Sequence, residues 1–164
     1  MKKAICTLLL IFAAFYSFSQ SMPPVDGVPL VTAQDYRTAE NVVVQVDGNL
    51  LSTPIDKANE TRLYAGLFLM KWINGTPDFD FTTEQKPLKY LKKDADLITV
   101  YCAALTSFTL QYRSVKDHKA LTVNAVKAFL DYVNNANNHV VLTKNLKKLS
   151  DANQQGTLEK FLNL

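Results

Sequence analysis

The sequence has 164 residues, 20% of them charged and 48% hydrophobic, with 18 Lys and Arg against 15 Asp and Glu, a formal +3. One domain of ordinary size fits that length. The composition excludes a disordered tail, a collagen-like polymer and a strongly basic nucleic-acid binder, and two cysteines exclude a dense disulfide framework.

The N-terminus reads as an export signal. Lys2 and Lys3 precede an apolar run from Ala4 to Phe18, and Ser17 and Ser19 stand at small-x-small spacing before Gln20. The run is shorter than the roughly 20 apolar residues of a membrane-spanning helix. Residues 1–19 are therefore expected to be a cleaved signal peptide, leaving no transmembrane anchor. Cys6 lies at the start of the run, where it cannot serve as a lipoprotein cysteine. Once the signal is removed, Cys102 is the sole cysteine and no internal disulfide can form.

Residues 20–31 hold three prolines and a glycine and read as an extended lead-in or tether. The remaining residues, 32–164, read as a single helical domain. Thr32 and Asp35 have the spacing of a helix N-terminal cap, and Tyr36, Ala39, Val43, Val46 and Leu50 recur on one helical face. The cluster Val42, Val43, Val44 and Val46 competes as a strand, so residues 33–51 are either one helix or a segment containing a strand; the longer stripe favours helix.

Thr53-Pro54 offers a cap and a first-turn proline for a helix from Pro54 to Asn74. Its second half, Leu63 to Ile73, is apolar nearly all round, which marks it as the central element. Gly75 is placed to end it in a left-handed cap before Pro77. A third helix is expected from about Thr83–Pro87 to Tyr112. Its stripe is Leu88, Leu91, Ala95, Ile98, Cys102, Leu105, Thr109 and Tyr112, flanked by Leu97, Tyr101, Ala104 and Phe108.

Ser114 and Asp117 suit the start of a fourth helix, which the asparagine-rich run 134–138 ends. Leu142, Leu146 and Leu149 mark a fifth, and Leu158 to Leu162 a terminal turn. Short connections between such helices imply an all-α, compact antiparallel bundle of about five helices.

The stretches Leu50-Leu-Ser-Thr-Pro-Ile55 and Lys71-Trp-Ile-Asn-Gly-Thr-Pro-Asp78 resemble a pattern shared by small secreted helical proteins of Bacteroidota. The likeness extends over most of the mature chain. It implies a periplasmic or extracellular setting and brings no activity, ligand or cofactor with it.

Among candidate sites, Trp72 to Phe81 is the most distinctive. Asp78 and Asp80 alternate with Phe79 and Phe81, so an extended backbone sends the acids to one face and the phenyl rings to the other. One reading is a binding lip floored by Trp72, its acids meeting a cationic or sugar partner. The other is a connection with its rings in the core and its acids solvated. Two carboxylates also permit glycoside chemistry, although no other polar constellation accompanies them.

Cys102 sits in an apolar stripe without a basic neighbour and reads as a small hydrophobe. His118 and His139 lack the spacing of a metal site. No phosphate loop, nucleophile elbow or zinc motif appears, so neither a cofactor nor a metal is expected.

Charge is divided unevenly. Residues 21–85 carry four basic and nine acidic side chains, and residues 86–164 twelve basic and six acidic. An envelope protein or an anionic glycolipid is the partner that such a surface suits. The leading expectation is a non-enzymatic binding or scaffolding protein of the envelope or medium. The alternatives are an envelope hydrolase using Asp78 or Asp80 and a helical repeat-type adaptor.

Overall fold

Thr32 opens the first helix in the computed structural model, which describes residues 22–164 apart from residues 92, 93 and 116. The expected signal segment, residues 1–19, lies outside the described residues. Seven α-helices and two 3-10 segments form the described chain, with no strand among the described residues. The all-α bundle expected from the sequence is what the chain builds.

The first cap forms as the sequence predicts. The Thr32 hydroxyl accepts the Asp35 N–H at 3.2 Å and the Asp35 carboxylate accepts the Thr32 N–H at 2.8 Å. This reciprocal pair satisfies two backbone donors and opens α1 (Ala33–Thr38), which passes at Ala39 into α2 (Glu40–Ser52). The valine cluster is thus helical. Val43, Val46 and Leu50 are completely buried, and that burial outweighs the β preference of the valines.

Thr53-Pro54 does not start the next helix. Thr53 closes α2, the Asp56 carboxylate accepts the Ala58 N–H, and Asn59 caps α3 (Glu60–Gly75) by accepting the Arg62 N–H at 3.0 Å. Arg62 supplies the physical reason. One of its guanidinium nitrogens donates to the Leu50 and Thr53 carbonyls and to the Thr53 hydroxyl, and the other donates to the Tyr132 hydroxyl. A nearly buried cation thereby covers the negative end of α2 and holds residues 53–59 in a turn.

Gly75 is the last helical residue, and its φ is not positive. Its role is steric, because a Cβ there would collide with the Tyr36 phenol. Positive φ at glycine occurs instead at Gly27 and Gly156.

The expected third helix is interrupted. Residues Thr82–Tyr90, which include Pro87, wind as a 3-10 segment, and α4 (Ala95–Gln111) begins afresh where Asp94 accepts the Asp96 and Leu97 N–H groups. Pro87 lacks a donor for an α-helical ladder, and Asp94 is a better start. Asp117 rather than Ser114 caps α5 (His118–Asn134). The asparagine run forms a 3-10 turn, Ala136–Asn138, that leaves through His139 at φ 55°. Thr143 caps α6 (Lys144–Gln154), and α7 (Leu158–Leu162) follows Gly156.

Packing assigns the central place to α4, not α3. α4 lies against α2, α3 and α5. One core, with Tyr101, Phe129, Leu130, Leu146 and Leu149, lies to one side of it, and the other, with Val43, Val46, Leu50, Leu69 and Trp72, to the opposite side. α3 buries Ala65, Phe68, Leu69 and Trp72 but leaves Leu63, Tyr64 and Leu67 more than half exposed, at 59%, 53% and 58%. The lead-in is attached to this body, since Met22, Val25, Val28 and Leu30 pack on the second core.

Along α4 the buried face is rotated from the expected stripe. Leu97, Tyr101 and Ala104 are buried, whereas Ile98, Cys102 and Thr109 are only half-buried. No helix among the described residues is long and apolar enough to cross a membrane.

Candidate binding cavity at the Trp72–Phe81 junction

Trp72 is completely buried on the inner face of α3, and its indole N–H donates to the Tyr36 carbonyl at 2.9 Å. The chain leaves α3 extended at Thr76 and bends at residues 77 and 78, and exposure alternates along 78–81 as the sequence implies: Asp78 and Asp80 are exposed, Phe79 and Phe81 half-buried. The phenyl rings turn onto the indole. Ring centroids lie 6.0 Å apart for Trp72–Phe79 and 6.3 Å for both Trp72–Phe81 and Phe79–Phe81. Such tilted aromatic contacts add roughly 0.5–1.5 kcal/mol per pair beyond area burial. The rings fasten the junction to the end of α3.

Asp78 already has its cation. Arg37 of α1 grips it through two bonds, Nε to Oδ2 at 2.8 Å and Nη2 to Oδ1 at 3.0 Å. The Arg37 hydrogen bonds hold the Asp78 carboxyl below the usual carboxylate range, and the same fork raises the guanidinium. Arg113 stands over the Phe79 ring at 5.5 Å from its centroid and is paired with Glu40 of α2. The acids therefore sit on a surface where the chain supplies its own cations.

Behind the junction opens an apolar cavity of about 360 Å³. Phe79, Phe81 and Leu88 form one wall, Met70 and Ile73 of α3 a second, and Ile98, Cys102 and Leu105 of α4 the third. Asn74, Thr76 and Asp80 supply polar atoms to the lining. Ile98 and Cys102, expected in the core, thus face a cavity, and Leu105 is shared between the cavity wall and the core. A volume of this size and an apolar lining with a few polar groups are typical of small-ligand sites.

Of the residues singled out in the sequence, Phe79, Asp80 and Phe81 line this cavity. Trp72 supports it from behind, and Asp78 is turned outward to Arg37. Cys102 is on the wall, its thiol pushed up to about 12, first by burial and then by the nearby Asp47 carboxylate. Such a thiol is unreactive at neutral pH. Asp78, Asp80, Arg113 and His118 also share a shallow recess of about 150 Å³ on the outer side of the junction, a proximity of His118 to the acids that sequence spacing does not reveal. Among the described residues no three His, Cys, Asp or Glu side chains are grouped to hold a metal ion.

Two buried polar groups were not apparent as such. Asp47 of α2 is completely buried, and neither carboxylate oxygen has a hydrogen-bond partner; the hydroxyl of Thr106 on α4 is also buried and unpartnered. Burial pushes the Asp47 carboxyl well above the ordinary carboxylate value. The signal was present in the register, because Asp47 falls on the same helical face as Val43, Val46 and Leu50.

No protein-family model, curated protein or solved structure matches the chain.

Proposed function

We propose that this chain is an exported, non-enzymatic binding protein of the cell envelope or medium that captures an apolar group in the cavity behind Phe79 and Phe81. The single observation that carries the reading is that open apolar cavity, walled by three separate elements and edged by Asn74, Thr76 and Asp80. The apolar part of an envelope protein or glycolipid is the natural occupant. Export rests on the Lys2–Ser19 segment and on the resemblance to small secreted proteins of Bacteroidota.

Titration with N-phenyl-1-naphthylamine, a neutral apolar dye that brightens out of water, tests the reading. Saturable binding is expected. Cys102→Phe should abolish it by filling the cavity, and Leu105→Ala should retain it by enlarging the same space. Equal dye binding by Cys102→Phe would defeat the reading.

The recess holding His118 beside Asp78 and Asp80 favours a second reading, an envelope hydrolase. Against it, Asp78 is committed to Arg37 and is held ionised, so it is a poor proton donor. The adaptor alternative has less support, since α4 packs on three helices instead of stacking only with its neighbours in sequence.

A further inference from the structure

We infer that α3 is a self-association surface, and that two copies of this chain pair through it in antiparallel fashion about a twofold axis.

α3 leaves apolar area unburied. Leu63, Tyr64 and Leu67 occupy successive turns of α3 and are each more than half exposed, with Met70 partly exposed beyond them. On a 3.6-residue helix these four fall within one face about 120° wide. A contiguous apolar patch of this kind, rimmed by charged residues, is a common form of interaction site.

The charges at its two ends choose the partner. Glu60 and Lys71, both exposed, lie about three turns and about 16 Å apart on nearly the same azimuth. Neither is engaged in an ion pair among the described residues. A second α3 laid antiparallel, with the axis midway between Ala65 and Gly66, sets Glu60 of each copy opposite Lys71 of the other. The same register sets Tyr64 opposite Leu67 twice, and Leu63 close to Met70 twice. The Glu60–Lys71 and Tyr64–Leu67 pairs share one centre, with Leu63 and Met70 offset from it by a residue, so the face is self-complementary in charge and in apolarity. An isologous contact requires that property, and an arbitrary hydrophobic patch lacks it.

The ground beside the stripe is also receptive. Leu63, Leu67 and Met70 form one side of a second cavity, of about 520 Å³, whose far side is Ala95, Ile98 and Thr99 of α4. At its floor α3 and α4 approach closely, a Cβ at Gly66 lying 3.1 Å from the Thr99 methyl. This hollow borders the Leu63–Leu67–Met70 edge of the face, on the side away from Tyr64.

Sedimentation velocity of the full chain from about 1 to about 300 µM tests the inference, a range suited to an interface of one helix pair. A concentration-dependent dimer is expected. Leu67→Glu should leave a monomer with unchanged helical circular dichroism, because Leu67 is exposed. Glu60→Lys and Lys71→Glu should each weaken dimerisation about tenfold, as two attractive pairs become repulsive. The double exchange should restore it. A monomer throughout the range would overturn the inference, as it would if the N-terminal segment or another molecule covered the face. A dimer indifferent to Leu67→Glu, or a double exchange that fails to restore association, would overturn it equally.

Discussion

Asp47 offers the sharpest energetic test of the fold. Its carboxyl is completely buried, has no hydrogen-bond partner, and is pushed well above the ordinary value of 3.8 by burial. The sign follows from linkage. Below the ordinary value both folded and unfolded chains bind the proton, and burial carries no protonation penalty. As pH rises, the unfolded carboxyl releases its proton while the folded one keeps it, so stability falls by about 1.4 kcal/mol per pH unit. The fall continues until the folded carboxyl itself ionises. Each pH unit over which this persists is a sizeable fraction of a typical domain's roughly 5–15 kcal/mol.

Asp47→Asn keeps the shape and removes the titration, although it leaves a neutral amide in the same unpartnered position. Urea unfolding followed by Trp72 fluorescence at pH 5, 6, 7 and 8 is the assay. The variant should be more stable at pH 7 by about 1–3 kcal/mol, the remaining polar group offsetting part of the gain. Its advantage over the native chain should grow as the pH rises, until the native carboxyl ionises. Parallel pH profiles for the two chains, or a variant less stable at pH 7, would refute the reasoning, since either would mean that the native carboxylate has a stabilising partner.

Other outcomes follow from the same contacts. Arg62→Met leaves the Leu50 and Thr53 carbonyls without their cation and should cost on the order of 3 kcal/mol in urea unfolding. Arg37→Ala and Asp78→Ala should each lower the thermal midpoint slightly and by similar amounts, and the double variant should lose no more than either, as expected of one exposed pair. Cys102, with its thiol at about 12, should react with N-ethylmaleimide at pH 8 about a thousandfold more slowly than a thiol at the ordinary 9.0. A rate near that of free cysteine would show the wall of the cavity to be far more open than the packing implies.

The first cap and the alternation at the junction were legible in the sequence because their causes are local. Thr32 with Asp35 needs only its own turn of chain, and residues 78–81 alternate acid and phenyl along the chain itself; the start of α5 was placed only approximately, since Asp117 and not Ser114 makes the cap. The start of α3 was not legible, because Thr53 and Asn59 are both good caps and the choice is made by Arg62 meeting the end of α2 and Tyr132 across the bundle. Apolarity all round a helix signalled burial, yet α3 is buried on one side only. Periodicity found the stripe Ile98–Cys102–Leu105 but could not distinguish a core from a cavity wall. The cavity is enclosed by successive elements, α3, the junction and α4, and it depends on the angle at which they pack, which no periodicity within one element reveals.

Whether the cavity is filled in the cell can be read by native mass spectrometry of the chain recovered from the envelope and medium of the cells that produce it. A non-covalent apolar adduct is expected on part of the native chain and none on Cys102→Phe, whose cavity is filled. A native chain that carries only its polypeptide mass, or an adduct that persists unchanged in Cys102→Phe, would contradict capture in this cavity.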